Sequence, residues 1–440
     1  MVHEVIIIGA GAAGLAAARR LVRRSGEILV LEARERVGGR VWSHNAAADT
    51  PGELGAEFIH GRAALTYALL REAGLSWNEV QGERWHRSAD GMLEREDDSF
   101  ASDAALFDRL DALHRDVSVR DYLADVARDP AQRPRAEAAL AFIEGFDAAD
   151  PELASARAIA AEWRSGVDAT AARPLPAYGP LFEFLREGCV SAGVVFHFAT
   201  AVERIAWSVD GVTVVARNRG GTRDTFHARC CIVTLPAGVL RYTGDRAVIF
   251  DPPLPSDKER ALGAIETGHV VKVVLWFRTR FWERFDGGRY RDAAFLHADN
   301  DLFATYWTSF PRPTGLVAAW VGGPKSAALG GRDERALVDG ALRGFGSLFG
   351  EERAARDALV AGAAHDWRTD PYARGAYSYL RVDGGDARAT LAAPLAGALF
   401  FAGEATALDG QSGTVNGALE TGERAAAQAA AVLRNGEVAD

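Results

Sequence analysis

The chain has 440 residues, 48% hydrophobic and 25% charged, which is typical of a globular protein and not of a disordered or membrane-embedded one. A single hydrophobic core stops growing beyond about 250–300 residues, so two domains are expected. The formal net charge of −10 gives no indication of a nucleic-acid partner. Cys189, Cys230 and Cys231 show neither metal-ligand spacing nor a disulfide pattern. We therefore expect a cytoplasmic protein with no metal site and no membrane partner.

The first forty residues follow the pattern of a βαβ dinucleotide-binding unit. Residues 4–8 form an apolar strand, a glycine-rich turn spans 9–14, and helical periodicity then leads to a second apolar strand at 27–31. Glu32 ends that strand, 18 residues after the last glycine of the turn. The dinucleotide fingerprint requires this context. It predicts the following cofactor contacts: Gly9, Gly11, Ala13, Gly14, Glu32 and Ala33.

Each of these positions has a physical reason. Gly9 permits the tight turn, Gly11 lets the backbone approach a pyrophosphate, and Gly14 lets the helix pack closely on the strand. The start of the helix offers free N–H groups and the positive end of its dipole to the phosphates. Glu32 can accept hydrogen bonds from both ribose hydroxyls, and its charge disfavours the 2′-phosphate of NADP.

The residues that follow the second strand favour FAD over NAD. Arg34 and the run Gly38-Gly39-Arg40 place guanidinium groups and another flexible turn beside the expected pyrophosphate. Arg40 is suited to donate two hydrogen bonds to a phosphate, although a solvated surface arginine is the alternative. Arg34, Gly39 and Arg40 are therefore added to the predicted cofactor contacts.

The rest of the chain alternates between helical and strand-rich blocks. Residues 101–165 predict three or four helices, strands follow from about 194, helix returns at 332–349, and an apolar strand and an alanine-rich helix end the chain. This alternation predicts an α/β fold: a Rossmann-like FAD-binding domain interleaved with an α+β substrate-binding domain. The predicted boundaries are 1–76, 175–253 and 365–440 for the FAD-binding domain, and 77–174 and 254–364 for the substrate-binding domain.

Four ordered motifs resemble those of the flavin-containing amine oxidases, the family of monoamine oxidases, polyamine oxidases and the flavin-dependent histone lysine demethylase. LEARERVGGRVWS (31–43) resembles the second N-terminal motif, and ELGAEFIHG (53–61) resembles the segment that passes the flavin ring. WRTDPYARGAYSY (367–379) and the two C-terminal segments LFFAGEAT and SGTVNGALETGERAA resemble the remaining motifs. The polyamine oxidase and demethylase branch is the most similar. The helical block matches only loosely, through FDAADPELASA.

The resemblance implies noncovalent FAD, because Ala376 stands where monoamine oxidases carry the cysteine that tethers their flavin. It also implies a backbone contact to adenine, small residues along the ring, contacts to the pyrophosphate and ribityl chain, and a helix start near the pyrimidine end of the flavin. The residues implied in these roles are Gly55, Ala56, Glu57, Val202, Trp367, Gly403, Glu404, Thr414 and Val415.

Three residues are candidates for chemistry. Lys272 interrupts an apolar strand, and a buried ammonium needs a partner, a route to solvent or a lowered pKa. An outward-facing lysine is the alternative, but the resemblance implies the active-site lysine that holds a water near flavin N5. Tyr377 matches an aromatic residue that flanks the substrate amine, while Thr414 replaces the second tyrosine of monoamine oxidases. His60 matches an active-site histidine of polyamine oxidases, with a purely structural role as an equal alternative.

The resemblance implies an FAD-dependent amine oxidase. Hydride would pass from the α-carbon of a neutral amine, polyamines among the candidates, to flavin N5. The imine would then hydrolyse, and oxygen would be reduced to hydrogen peroxide. One alternative, an L-amino-acid oxidase of the same architecture, would need an arginine in the pocket for the carboxylate. A flavoprotein desaturase is disfavoured by Lys272 together with Tyr377, and a chromatin scaffold is disfavoured because no coiled-coil insertion is present.

Overall fold

In the computed structural model, two large β-sheets organise the chain, and helices pack around them. The structure describes residues 2–22, 27–47, 50–87, 91, 93–96, 104–167, 170–298 and 302–437. The mixture of helices and sheets is the predicted α/β class.

The first sheet has eight strands and contains the N-terminal unit. Strand Val2–Ile8 pairs in parallel with Ile28–Leu31 on one side and with Arg223–Val233 on the other. Strand Leu399–Phe401 pairs in parallel with Arg223–Val233. Parallel strands are covered on both faces, which explains the continuous apolar runs near the two ends of the sequence. The other strands of this sheet are Val195–His197, Ala201–Ser208, Gly211–Arg217 and Ile249–Asp251.

The two ends of the chain meet through their helices. Helix Ala12–Leu21 follows the glycine turn, and the C-terminal helix Val415–Glu437 packs along it. The approach is close, because a Cβ atom at Gly422 would lie only 2.1 Å from the carbonyl oxygen of Ala13. This contact brings the predicted adenosine motif next to the predicted flavin motif.

The second sheet has seven strands, and its two faces carry different sets of side chains. In sheet order its strands are Leu359–Asp366, Val270–Phe277, Leu316–Gly322, Thr305–Thr308, Ala293–Ala298, Glu83–Arg87 and Leu93–Glu96. One face packs Val273, Leu275 and Val317 against helix Glu334–Leu348. Successive side chains of a strand point to opposite faces, so the other face carries Lys272 and Trp320, which are paired in register.

The helical block is confirmed over the described residues. It consists of the 3-10 helix Ala104–Ala112 and the helices Val119–Val126, Arg133–Gly145 and Ala156–Arg164. Ser118 and Ser155 cap two of these helices by accepting hydrogen bonds from backbone N–H groups. The block has a core of its own around Phe107 and Trp163.

Shorter elements connect these layers. The remaining strands are Ser43–His44, Gly52–Glu53, Ile59–His60, Ser76–Glu79, Ala171–Leu175, Ile265–Thr267 and Ser378–Leu380. The remaining α-helices are Ala64–Glu72, Gly179–Ser191, Ala237–Leu240, Ser256–Ala264, Glu352–Ala358 and Ala387–Ala392, and the other 3-10 helices are Phe281–Gly288, Pro324–Leu329 and Glu404–Thr406.

The strands divide between the predicted domains. All eight strands of the first sheet lie within 1–76, 175–253 and 365–440, whereas the seven-stranded sheet lies within 77–174 and 254–364 apart from the last two residues of Leu359–Asp366. We retain the interleaved two-domain division as a proposal. No helix in the described part of the chain is long and apolar enough to span a membrane.

One buried lysine has a structural role in this scaffold. Lys258 is 2% exposed, and its Nζ donates to the carbonyl oxygens of Thr390, Leu391 and Ala393 at 2.9, 3.0 and 2.7 Å. These carbonyls belong to the C-terminal end of helix Ala387–Ala392, where backbone acceptors have no partner within the helix. The ammonium also lies 4.3 Å from the centre of the Phe401 ring. All three donors are therefore satisfied by the helix end.

We predict that Lys258→Met lowers the free energy of unfolding by about 2–4 kcal/mol, because three buried carbonyls lose their donor. Lys325→Met is the matched control. That side chain is 63% exposed and pairs with Glu144, so its loss should change stability by less than about 0.5 kcal/mol. Denaturant unfolding followed by circular dichroism measures both, and equal effects would contradict the role given to Lys258.

Candidate active site

A cavity of about 2160 Å³ runs between the two sheets. Its wall includes the glycine turn, the 53–61 segment, the cavity face of the seven-stranded sheet and both C-terminal motifs. All predicted site residues line it except Gly14. Segments from across the sequence therefore converge on one space, although the individual roles remain predictions.

The glycine turn owes its shape to contacts that a side chain would prevent. A Cβ atom at Gly14 would lie 1.8 Å from the carbonyl oxygen of Gly9, which explains why Gly14 lies behind the wall and does not line the cavity. Gly9 has a φ of +104°, a region that favours glycine. No side chain of the described residues caps helix Ala12–Leu21, so its first N–H groups face the cavity uncapped. This arrangement fits a pyrophosphate.

Glu32 is held ready for a polar ligand. It is buried, and its two carboxylate oxygens accept hydrogen bonds from the backbone N–H groups of Ala10 at 2.7 Å and Arg34 at 2.8 Å. Burial raises the pKa of this carboxyl, and the two N–H donors work against that rise. Each oxygen retains acceptor capacity for a ribose hydroxyl.

Arg34 and Arg40 connect the N-terminal unit to the C-terminal motifs. Arg34 Nη2 donates to Asp370 at 2.6 Å. Arg40 Nη1 donates to the carbonyl oxygen of Ala376 at 2.6 Å and to Glu404 at 2.8 Å. Both guanidinium groups line the cavity, but part of their hydrogen-bonding capacity is committed to protein. Asp370 was not predicted from the sequence.

Glu404 organises the loop that precedes the C-terminal helix. Its carboxylate accepts from Ser378 Oγ at 2.7 Å and from the Gly413 N–H at 3.1 Å, in addition to Arg40. Burial alone would raise the pKa of Glu404, but Arg40 and Arg388 lower it below its ordinary value. Thr414 then receives the Gly417 N–H on its Oγ1 at 2.9 Å, which shapes the helix start at Val415.

Lys272 is buried and faces the cavity, which excludes the outward-facing alternative. The residue is 1% exposed, and its Nζ donates to Glu57 at 2.8 Å and to the Gly55 carbonyl oxygen at 3.1 Å. Glu57 also accepts from Arg173 Nε at 2.8 Å and from Trp307 Nε1 at 2.9 Å. Burial alone would raise the pKa of Glu57, but Lys272 and Arg173 lower it. The sequence predicted the need for a partner but did not identify Glu57.

Aromatic side chains surround the space beside Lys272. Tyr377 lies nearly parallel to Trp320, with ring centres 6.5 Å apart and planes 16° apart, and its hydroxyl donates to the Phe146 carbonyl oxygen. His60 meets the Phe146 ring edge to face at 5.5 Å. Burial lowers the pKa of His60 to about 4, so its imidazole is neutral near pH 7. This end of the cavity can hold the apolar body of an amine and supply a neutral hydrogen-bonding partner.

The other predicted contacts also have identifiable geometry. Val202 lies at a β-bulge, a device that redirects a strand. Trp367 donates from Nε1 to the Leu54 carbonyl oxygen at 2.9 Å, which fixes its indole in the wall. Glu162 is a further wall residue that the sequence did not reveal. Burial raises its pKa, and it accepts a hydrogen bond from Ser412.

Comparison with known proteins finds similarity over nearly the whole chain. A family model described as flavin containing amine oxidoreductase matches residues 12–430. The chain is 28% identical to lysine-specific histone demethylase 2 of Homo sapiens, in a match that covers 97% of this chain and 53% of that protein. It is 27% identical to polyamine oxidase 4 of Oryza sativa subsp. japonica, in a match that covers 96% of this chain and 88% of that protein. It therefore spans about half of the demethylase relative. A solved structure of putrescine oxidase shares the fold at a TM-score of 0.78 and 23% identity, covering 98% of this chain and 99% of that one.

We predict that Gly14→Ala abolishes cofactor retention or prevents folding, because its methyl group would overlap the Gly9 carbonyl oxygen. Gly188→Ala is the control: it also lies within a helix, and a methyl group added there would meet no atom beyond its own helix backbone within 4 Å. Alanine there should leave cofactor content unchanged and raise stability by up to about 1 kcal/mol. Flavin absorbance per protein after desalting, with thermal unfolding, measures both effects. Normal cofactor content in Gly14→Ala would contradict the steric explanation.

Proposed function

The chain belongs to the flavin containing amine oxidoreductases and its cofactor is FAD, and from this premise we propose that it oxidises a neutral small-molecule amine with oxygen as acceptor. One observation carries the proposal. The buried Lys272 ammonium and the aromatic group around Tyr377 line the same cavity as the dinucleotide turn. An oxidised amine and a bound FAD would therefore share one cavity.

The cavity fits the proposed cofactor. Its glycine turn admits phosphate, Glu32 can accept from ribose, and the uncapped helix start faces the same space. A bound FAD would supply the hydride acceptor for the amine α-carbon, with oxygen as the final acceptor, so that the products would be an imine that hydrolyses and hydrogen peroxide. None of the described wall residues is a cysteine, which supports noncovalent attachment. The three cysteines are buried free thiols, which is compatible with a cytoplasmic location.

The residues of this chain supply orientation, exclusion of water and charge. Tyr377 and Trp320, whose rings are nearly parallel, form an aromatic pair that would align the carbon bearing the amine. His60 can accept a hydrogen bond from the amine without adding a charge. Lys272 places a positive charge beside the reacting space without having to act as a base. The aromatic side chains would displace water from the space beside the amine.

We propose that the substrate amines include polyamines. The names of the polyamine oxidase relative and of the putrescine oxidase structure support diamines and polyamines, and the name of the demethylase relative supports a methylated lysine side chain. An aromatic space beside Lys272 accepts an alkyl chain through apolar contact. The chain covers only part of the demethylase relative, so a protein substrate is the weaker candidate.

The position of the arginines disfavours an L-amino-acid oxidase. Of the arginines that line the described part of the cavity, Arg84 is the one on the seven-stranded sheet. It lies four strands away from Lys272 in sheet order, and its guanidinium packs on the Phe295 ring at 5.3 Å. An α-carboxylate is attached to the same carbon as the amine nitrogen, so it would remain far from Arg84. Arg173 lies nearer to Lys272, but its guanidinium already forms an ion pair with Glu57.

We predict turnover of amines and not of the matching amino acids. Putrescine with ornithine, cadaverine with lysine, and phenethylamine with phenylalanine form pairs that differ only in the α-carboxylate. Since that carboxylate would be desolvated without a cation, each amine should have a kcat/KM at least about 100-fold higher than its partner. Peroxide release under air is the measurement. Preference for the amino acids would support the alternative oxidase, and no turnover by any of them with bound flavin would overturn the proposal.

We predict that Lys272→Met slows flavin reduction or reoxidation by about tenfold or more, because the charge beside the reacting space is removed. Glu57 keeps Arg173 as a partner, so the variant should fold and bind FAD. Stopped-flow measurement of the two half-reactions locates the effect, and flavin content with thermal unfolding serves as the control. Unchanged rates in both half-reactions would reduce Lys272 to a structural residue.

A further inference from the structure

Lysine is rare in this chain, which makes its positions informative. Lysine occurs only at 258, 272 and 325 among the 50 basic residues, and the others are arginine. Arginine carries a planar fork with five donors, whereas lysine carries a compact charge with three. Lys258 uses its three donors on a helix end, and Lys325, although it also lines the cavity, is exposed and pairs with Glu144. Lys272 is the lysine that lies beside the proposed reaction space.

The Lys272 ammonium has two donors occupied and one remaining. Glu57 Oε2 takes one at 2.8 Å, and the Gly55 carbonyl oxygen takes another at 3.1 Å. No further acceptor among the described residues is within hydrogen-bonding distance of Nζ, which lies 5.0 Å from the centre of the Trp307 ring. Gly55, Glu57, Trp307 and Lys272 all line the cavity. The third donor is therefore available to a ligand there.

Two further side chains, Arg173 and Trp307, hold Glu57 in place. Oε1 accepts from Arg173 Nε at 2.8 Å, and Oε2 accepts from Trp307 Nε1 at 2.9 Å. Arg173 has its other nitrogens on the carbonyl oxygens of Thr308 and Phe310, and its guanidinium lies 4.5 Å from the centre of the Phe58 ring. These hydrogen bonds fix the Glu57 carboxylate independently of Lys272.

We propose that Glu57 is a positioning residue for Lys272: it keeps the ammonium charged and directs its remaining N–H into the cavity. The proposal rests on the proposed function of this site. Without Glu57 the ammonium would have a neighbouring arginine and only the Glu53 carboxyl, with which it forms no ion pair, so its neutral form would be favoured. Two further titratable groups lie near Lys272: Glu53, whose carboxyl interacts with it electrostatically, and His365, its register partner on the adjacent strand.

The test compares Glu57→Gln with Glu57→Asp and with a matched control. Gln keeps the size of the side chain without its charge, and Asp keeps the charge on a shorter side chain. Glu266→Gln is the control, because Glu266, like Glu57, pairs with two basic side chains, here Arg241 and Arg381, and does not line the cavity. All variants are purified as full chains and loaded with FAD.

The first readout does not depend on amine turnover. Protein labelled with ¹³C-lysine has three lysine side-chain signals, and Lys272→Met and Lys325→Met assign them. We expect the pH midpoint of the Lys272 signal to move at least about one pH unit lower in Glu57→Gln. The Lys258 and Lys325 midpoints should stay unchanged, as should all three in Glu266→Gln. A Lys272 midpoint that does not move in Glu57→Gln would overturn the proposal, whatever the substrate proves to be.

The second readout separates positioning from binding. In Glu57→Gln the half-reaction that Lys272 serves should slow about tenfold or more, while KM for the amine changes less than about threefold. Glu57→Asp should recover part of the rate, because it restores the charge. An effect on KM alone, or an equal loss in Glu266→Gln, would show that Glu57 is only structural. If no amine is oxidised, the proposed function fails and the ¹³C readout still decides the role of Glu57.

Discussion

The ion pair between Arg40 and Glu404 joins the first forty residues of the chain to the last forty. Arg40 donates to Glu404 at 2.8 Å, and Glu404 in turn receives the Gly413 N–H of the loop that begins the C-terminal helix. Both charges are largely removed from water, so neither is favourable without the other. Together with the packing of the first and last helices, this contact holds the predicted adenosine side and the predicted flavin side of the cavity next to each other.

A second set of buried charges places the proposed chemistry on the other sheet. Lys272 lies on the cavity face of a strand whose opposite face packs against a helix, and Glu57 reaches it from the segment between the two sheets. The seven-stranded sheet thus contributes the ammonium, and segment 53–61, which the proposed division assigns to the FAD-binding domain, contributes its counter-ion. Their contact ties the position of the charge to the docking of the two halves.

Much of this architecture could be predicted from local sequence. The glycine turn between two apolar strands, the acidic strand end and the alanine-rich last helix are short-range patterns, and the structure has each element at that place. Lys272 could be singled out because an ammonium in an apolar strand is costly to bury. The four motifs pointed to the family that the comparison over residues 12–430 then confirmed.

The partners of the charged residues could not be predicted. Glu57 and Lys272 are 215 positions apart, and Arg34 and Asp370 are 336 apart, so only the folded chain brings them together. Arg173 looked like one basic residue among 50. The strands Glu83–Arg87 and Thr305–Thr308 are short and mix polar with aromatic residues. The alternation of their side chains between buried and cavity-facing positions can be recognised only once the sheet defines two faces.

The most direct test is a crystal structure of the protein with FAD bound. We predict that the ribose hydroxyls of its adenosine hydrogen-bond to Glu32, and that the isoalloxazine ring lies between Lys272 and Tyr377 with the Lys272 ammonium still on Glu57. A ring bound away from Lys272, or an adenosine that makes no contact with Glu32, would contradict the assembly of the site described above.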